Sequence, residues 1–238
     1  GFTLDSNTRS PIAKLGKLLQ DVPAARLFDE ILKLLMSGYS WAAIQGLREA
    51  GLHHGLLPLL DHILDDNENA IGANGFVKLA LANTDQRIQS GKSVSAGFLF
   101  ATLLWPDLLK NWKTNLAKGM ANIPALQDAM DETIASQSSG MTIQRRFESD
   151  MREIWSMQPR FERRVGRYPY RLIEMPRFRA GYDFMLLRCA TGEQNPALGE
   201  WWTNFITADA QGQESLMASA KTEAGNTTHS PTKRRRRR

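Results

Sequence analysis

The sequence is poor in the residues that most often mark catalytic or cross-linked sites. Its 238 residues include one cysteine and four histidines. A single thiol allows neither an intrachain disulfide nor a four-thiolate zinc site, which indicates a reducing compartment. Cys189 follows Leu187 and Arg188 on an apolar face. We therefore predict that it is a small buried hydrophobic residue rather than a reactive thiol.

Long apolar runs are also missing. The most apolar stretch is VSAGFLFATLLWP at 94–106, about a dozen residues where a membrane-spanning helix needs ~20. The stretch therefore predicts a core helix and not a membrane span. We expect the protein to be cytoplasmic. The chain starts with Gly1 and Phe2, without an initiator methionine or a signal-like segment, so we expect a part of a longer protein.

The usual catalytic motifs are absent as well. The sequence has no glycine-rich loop followed by Lys-Ser/Thr and no strand-glycine-helix fingerprint. His53, His54 and His62 suit a metal poorly, because adjacent residues of a helix point about 100° apart. The carboxylates at 65–68 fit a solvated turn at a helix end. We predict no catalytic residue and no metal site in this chain.

Helical periodicity runs through most of the chain and predicts an all-α fold of about ten helices without strands. The clearest helix, 25–38, has an amphipathic stripe formed by Leu27, Phe28, Ile31, Leu34 and Leu35. Similar patterns predict helices at roughly 8–20, 40–50, 53–65, 70–89, 94–117, 124–136, 143–157, 159–173, 177–190 and 196–206.

Glycines, prolines and a serine predict several helix boundaries. Gly38 and Gly51 are expected to end the helices that precede them. Pro23 suits the first turn of the 25–38 helix, and Ser40 is predicted to be the N-cap of the next helix. Pro106 is expected to break or kink the 94–117 helix.

Composition divides the chain into three parts. Residues 1–65 and 66–206 are predicted to be helical, and 207–238 is expected to be a disordered spacer with a basic tip. The spacer contains few large apolar residues, so it buries too little surface to offset the entropy of ordering. The basic tip consists of Lys233, Arg234, Arg235, Arg236, Arg237 and Arg238.

Positive charge is concentrated between residues 141 and 188, where eleven arginines face six acidic residues. If the chain is helical from residue 160 onward, one stripe is formed by Arg160, Arg163, Arg164, Arg167 and Arg171. Like charges at this spacing repel, and a polyanion would supply the counter-charge. Arginine also makes planar bidentate contacts with phosphate oxygens. The segment therefore predicts nucleic-acid binding.

Aromatic residues lie among these arginines and could stack on unpaired bases, as in single-stranded RNA binders. They are Phe161, Tyr168, Tyr170, Phe178 and Tyr182. A purely structural alternative stays open, in which the arginines pair with Glu162 and Glu174 and the rings belong to the core. A spacer of some 25 residues would let the basic tip reach on the order of 25 to 30 Å to a second stretch of the polyanion.

The order of segments resembles that of bacterial poly(A) polymerases of the class II nucleotidyltransferase superfamily, which also contains the CCA-adding tRNA enzymes. The resemblance rests on GFTLDSNTRSPIAKLGKLLQDVPAARLFDEILKLLMSGYSWAAIQGLREAGLHHGLLPLL, AGFLFATLLWPDL, MREIWSMQPRFERR and MPRFRAGYDFMLLRCATGEQNPALGEWWTNF, followed by the basic tail. It implies that 1–65 is the neck and the start of the body, and that 66–206 is the helical body.

The resemblance also implies an activity for the longer protein. A head that this chain lacks would use Mg²⁺ and ATP to add AMP to RNA 3′ ends, so no cofactor is expected in this chain and the chain alone is expected to be inactive. The expected partner is single-stranded RNA 3′ ends, with room for protein partners from RNA decay. The oligomeric state stays open.

Family motifs supply the remaining site residues. Arg26, Glu30 and Lys33 match a neck motif that braces the region near the nucleotide pocket, and Arg26 and Glu30 form an i, i+4 pair. The predicted RNA-binding set comprises Arg145, Arg146, Arg152, Arg160, Arg163, Arg164, Arg167, Arg171, Arg177, Arg179 and the tip from Lys233 to Arg238.

Two alternatives remain at this point. The chain could be the body of a CCA-adding tRNA nucleotidyltransferase. It could also be a helical interaction module whose basic tail binds an acidic protein or an anionic membrane surface. The basic tail favours the poly(A) polymerases, because their CCA-adding relatives generally lack it.

Overall fold

A computed structural model describes residues 4–52, 73–137 and 143–227, which consist of helices, turns and bends without a strand. The all-α prediction is confirmed. The helices are α1 Ser6–Arg9, α2 Ile12–Leu15, α3 Ala24–Leu35, α4 Ser40–Glu49, α5 Ala73–Gln89, α6 Ala96–Leu103, α7 Trp105–Ala117, α8 Asn122–Gln137, α9 Arg145–Met157, α10 Tyr168–Ile173, α11 Phe178–Ala190, α12 Pro196–Thr207 and α13 Ala210–Thr227. Two 3₁₀ segments occupy Gly16–Asp21 and Gln158–Arg160.

The chain forms two compact units, Gly1–Ser156 and Met157–Arg238. The sequence marked no boundary between residues 156 and 157. The boundary expected after residue 65 and the predicted helix 53–65 lie outside the described residues. The basic segment 141–188 therefore contributes arginines to both units.

Several predicted helix boundaries are confirmed, but the predicted N-cap of α4 is wrong. Gly38 and Gly51 have φ of 81° and 68°, the left-handed conformation that favours glycine after a helix. Pro106 lies in the first turn of α7, so the predicted 94–117 helix is broken into α6 and α7 at this proline. Ser40 does not cap α4, because its backbone N and Oγ each donate to the Asp85 carboxylate at 2.9 Å.

The N-terminal helix predicted at 8–20 is also divided. Pro11 has no backbone N–H to continue a helical ladder, and the chain forms two one-turn helices, α1 and α2, followed by a 3₁₀ segment. Leu4, Leu15 and Leu18 stay exposed in this region. Too little apolar surface is buried here to hold one continuous helix.

Buried rings and a tryptophan hydrogen bond organise the core of the first unit. The Phe28 ring stacks on that of Phe100 with the centroids 5.2 Å apart. The buried Trp155 of α9 donates from Nε1 to the carbonyl oxygen of Ala101 in α6 at 3.0 Å. This bond satisfies the indole N–H inside an apolar environment and fixes α9 against α6.

Gly97 is required where α6 meets α9. A Cβ added at Gly97 would lie 2.6 Å from Cβ of Asp150, closer than packed carbons allow. We expect Gly97→Ala to lower the free energy of unfolding by about 1–3 kcal/mol, because the two helices must separate. Urea denaturation measures the loss. Gly46→Ala is the matched control: its Cβ meets nothing within 4 Å, so it is expected to stabilise α4 by about 0.5–1 kcal/mol.

The core of the second unit is largely aromatic. Trp202 is fully buried, and its Nε1 donates to the carbonyl oxygen of Phe161 at 2.9 Å. The Trp202 ring meets the ring of Phe161 edge to face at 5.2 Å between centroids. Such pairs contribute about 0.5–1.5 kcal/mol beyond the burial of their area. Because Trp202 lies in α12, these contacts hold Phe161, which precedes the arginines at 163–171, against that helix.

Residues 210–227 form helix α13, so the prediction of disorder from residue 207 is wrong for this stretch. The few apolar residues that the sequence offers there are well placed. Leu216 and Met217 pack against the aromatic core, and the Leu216 carbonyl oxygen accepts from Nε1 of Trp201 at 3.2 Å. Asp209 Oδ1 accepts from the backbone N of Gly212 at 2.8 Å near the start of the helix. Residues 228–238 lie outside the described part of the chain.

Two further expectations concern Cys189 and the apolar stretch 94–106. Cys189 is buried, as predicted, and burial raises the pKa of its thiol. The stretch forms α6 and the start of α7, which lie in the core. None of the helices described here has both the length and the apolar character that a membrane crossing requires.

Candidate nucleic-acid interface

The predicted arginine stripe does not form, because residues 159–173 are not one helix. A 3₁₀ turn ends at Arg160, and the chain then bends through Gly166, which has φ of 65°. Helix α10 starts only at Tyr168, with Pro169 in its first turn. Proline cannot continue a helix that begins upstream, and a left-handed glycine interrupts one.

The bend nevertheless gathers arginines around one surface depression. This depression has a volume of about 390 Å³, near the lower limit of the ~300–1,000 Å³ typical of small-molecule sites. We call it the arginine pocket. Its lining consists of Arg163, Val165, Gly166, Arg167, Tyr168 and Arg171.

The arginines of the pocket are available to an anion. Arg163, Arg167 and Arg171 are exposed, and no carboxylate of the described residues lies within ion-pair distance of them. The guanidinium carbon of Arg163 lies 4.7 Å from the centroid of the Tyr168 ring, a cation–π contact. The alternative in which the arginines pair with acidic neighbours is therefore not found at these three positions within the described residues.

Other predicted RNA-binding arginines make contacts within the protein. Arg152 binds Asp131 at 2.7 Å and Glu148 at 3.0 Å, and Arg179 binds Asp183 at 3.0 Å. These carboxylates already neutralise much of the positive charge that would otherwise attract a phosphate.

Three other predicted RNA-binding arginines of the second unit do not line the pocket and differ in their surroundings. Arg160 Nη1 lies 3.5 Å from the Met175 sulfur, and the Arg164 guanidinium lies 5.7 Å from the Trp201 ring centroid. Arg177, just before α11, is exposed. Arg160 and Arg164 are half-buried, so their side chains serve packing as well as charge.

Arg145 and Arg146 belong to the first unit and are exposed in the first turn of α9. The Arg146 guanidinium carbon lies 4.5 Å from the centroid of the Phe147 ring. Positive side chains at a helix N-terminus are unfavourable, and a bound polyanion would offset that cost.

Most of the aromatic residues of the basic segment belong to the core. Phe161, Phe178 and Tyr182 are buried, and the Tyr170 ring packs 5.4 Å from that of Phe205. Only Tyr168 both lines the arginine pocket and stays half-buried. The predicted series of stacking rings is thus reduced to one.

The neck motif lies on α3 with a different pairing from the expected one. Glu30 Oε1 accepts from Lys33 Nζ at 2.8 Å, and the structure shows no such bond to Arg26. The hydrogen bond and charge of Lys33 lower the pKa of the Glu30 carboxyl, with a smaller contribution from Arg26. The three side chains line a shallow depression of about 580 Å³ on the exposed face of α3.

Three sets of sequence candidates cannot be placed. The basic tip from Lys233 to Arg238 and the histidines at 53, 54 and 62 lie outside the described residues, as do the carboxylates at 65–68. Within the described ranges, no three His, Cys, Asp or Glu side chains come together in a way that could hold a metal ion.

Two family models match the chain. The model described as "Polymerase A arginine-rich C-terminus" matches residues 118–238, and therefore includes the arginine pocket. The model described as "Probable RNA and SrmB- binding site of polymerase A" matches residues 1–64, which include the neck motif.

Curated proteins similar to this chain are named Poly(A) polymerase I. The protein of Escherichia coli O157:H7 is 33% identical over 221 residues, or 91% of this chain and 47% of that protein. That of Salmonella typhimurium LT2 is 34% identical over 218 residues, or 90% of this chain and 46% of that protein. That of Haemophilus influenzae is 32% identical over 218 residues, or 90% of this chain and 48% of that protein. The chain spans about half the length of the curated relatives it matches.

Proposed function

Because the chain belongs to the family of bacterial poly(A) polymerases, we propose that it holds RNA for an enzyme that transfers AMP from ATP to RNA 3′ ends. The observation that carries this proposal is the arginine pocket. Three exposed guanidiniums surround one depression and have no carboxylate partner among the described residues.

Phosphate is the anion that this arrangement suits best. A guanidinium presents a rigid fork of N–H donors that matches two phosphate oxygens, and its charge persists at every physiological pH. An RNA strand presents such groups at regular intervals and releases counterions when arginines bind it. The electrostatic gain is largely independent of RNA sequence.

We propose that Mg²⁺, ATP and the transfer chemistry lie outside this chain. The curated relative from Escherichia coli O157:H7 has this chain's counterpart in only 47% of its length, so that chemistry can lie in the remaining part of such a protein. The chain alone is then expected to incorporate no AMP into RNA. A radiolabelled ATP assay on the 238-residue chain tests this, with a full-length relative as the positive control. Elongation of RNA by the chain alone would refute the proposal that the transfer chemistry lies outside it.

The basic tip is proposed to add affinity without sequence preference. For single strands, the logarithm of the binding constant falls with the logarithm of salt concentration by about 0.7 per phosphate contacted. Removing residues 233–238 is expected to flatten that slope and to weaken binding of oligoadenylate at low salt. Fluorescence anisotropy of a labelled oligoadenylate at several salt concentrations measures both. An unchanged slope would mean that the tip makes no phosphate contact.

The comparisons favour this proposal over the other two interpretations. The matching family model and the relatives carry the name of polymerase A or poly(A) polymerase, not of a CCA-adding enzyme. A docking module for acidic proteins would need only charge. The tyrosine that stacks with an arginine inside the pocket gives the site a feature that nucleic acid can use and a carboxylate cannot.

A further inference from the structure

We propose that the arginine pocket is a subsite for one unpaired nucleotide of the RNA. The base joins the stack formed by Arg163 and Tyr168, and the adjoining phosphate is held by Arg167 and Arg171. This inference rests on the proposed function and deepens it, because it assigns a chemical role to each pocket side chain.

The stack of Arg163 on Tyr168 provides a planar platform for a base. The guanidinium carbon lies over the ring, 4.7 Å from its centroid, so the two groups are already in contact before any ligand arrives. Unpaired bases stack on aromatic rings and on guanidinium planes alike. A preformed platform also spares the entropy of ordering these side chains on binding.

Tyr168 is not needed to complete the core. Its neighbours in α10 do that work: Leu172 is buried, and Tyr170 packs on Phe205. Tyr168 instead lies half-exposed at the first position of the helix, in the lining of the pocket. A large ring kept at a surface, beside positive charge, suits a ligand that has both a flat face and a negative group.

Arg167 and Arg171 are placed to hold the phosphate. They are four residues apart, and the backbone N of Arg171 donates to the Arg167 carbonyl oxygen at 3.3 Å, so both side chains lie on one face of this helical turn. Two positive groups at this spacing repel each other, and a phosphate between them would turn repulsion into two charge-assisted hydrogen bonds.

The size of the pocket limits the ligand. A volume of about 390 Å³ accommodates a single nucleotide, not a folded RNA element. Gly166 forms part of the wall, and its φ of 65° gives the sharp bend that brings Arg163 and Arg167 to the same side.

The first test removes the ring from the intact 238-residue chain. Tyr168→Leu keeps apolar bulk but cannot stack, and oligoadenylate affinity is expected to fall about tenfold. Tyr168→Phe is expected to bind as the unmodified chain does, because the ring remains. Leu116→Ala, at an exposed apolar residue of the first unit that lies outside both family-model matches, is the control and is expected to change nothing.

The outcomes separate this inference from the proposed function. If the unmodified chain binds no oligoadenylate, both are overturned. If it binds but Tyr168→Leu binds equally well, the nucleotide subsite is overturned while the proposed function stands. Equal losses for Tyr168→Leu and Tyr168→Phe would also overturn the stacking role.

A second measurement identifies the groups that are recognised. In NMR titrations, AMP is expected to shift the side-chain N–H signals of Arg163, Arg167 and Arg171. Ribose 5-phosphate is expected to shift those of Arg167 and Arg171 and to leave that of Arg163. A glutamate-rich peptide that displaces oligoadenylate and shifts all three arginines equally would assign the pocket to acidic proteins instead, and would overturn the proposal.

Discussion

Replacing Arg163, Arg167 and Arg171 together with glutamine is expected to weaken oligoadenylate binding about a hundredfold at moderate salt. Each charge-assisted hydrogen bond contributes on the order of 1 kcal/mol or more, and the three side chains surround one pocket. The salt-dependence slope is expected to fall by at least about 0.7, because the phosphate contact shared by Arg167 and Arg171 is lost. Anisotropy titrations across a salt series give both values.

The control for this triple variant must remove the same charge elsewhere. Lys92, Lys110 and Lys113 are exposed cations of the first unit that lie outside residues 1–64 and outside the predicted RNA-binding set. Their replacement by glutamine is expected to change affinity by no more than about twofold, through long-range charge alone. Equal losses in the two triple variants would mean that net charge, and not the pocket, holds RNA.

Trp202→Ala is expected to lower the stability of the second unit by about 3–5 kcal/mol. The fully buried indole fills the space among Phe161, Trp201 and Phe205, and its N–H satisfies the Phe161 carbonyl oxygen. Its removal leaves a cavity and an unpaired buried acceptor. Hydrogen exchange of peptides from 157–227 at increasing urea concentration measures the loss within this unit.

Two further variants make this test specific. Trp202→Phe keeps an aromatic ring but cannot donate to Phe161, so a smaller loss of about 1–2 kcal/mol is expected. Trp41→Ala removes a half-buried tryptophan of the first unit and is expected to leave exchange in 157–227 unchanged. A wild-type exchange profile for Trp202→Ala would contradict the central role of this indole in the core.

The helical class of the fold could be predicted because helix periodicity, glycine stops and proline breaks are local signals. Gly38, Gly51 and Pro106 act as expected. Helix α13 could not be predicted from composition. This stretch has few large apolar residues, but two of them, Leu216 and Met217, pack against a tryptophan-containing core. That core exists only in the folded second unit. Tertiary packing supplies the stability that local propensity lacks.

The candidate site shows the same limit. The sequence singled out the arginines of 160–171 as RNA-binding residues, which stays a prediction, but a continuous helix was the wrong geometry for them. Gly166 and Pro169 within that segment were the turn signals, and they outweigh the i, i+4 spacing of the charges. The bend brings Arg163, Arg167 and Arg171 to one pocket. The sequence alone also could not distinguish aromatic rings that are free to stack on a base from rings that belong to the core.

The most direct measurement is a photocrosslink between the chain and a single-stranded oligoadenylate, mapped by mass spectrometry. We expect crosslinks within 163–171, with Tyr168 as the principal site, and their loss when unlabelled oligoadenylate is added. Crosslinks that leave 163–171 untouched, at an oligoadenylate concentration that saturates binding, would contradict the proposal that this pocket binds RNA.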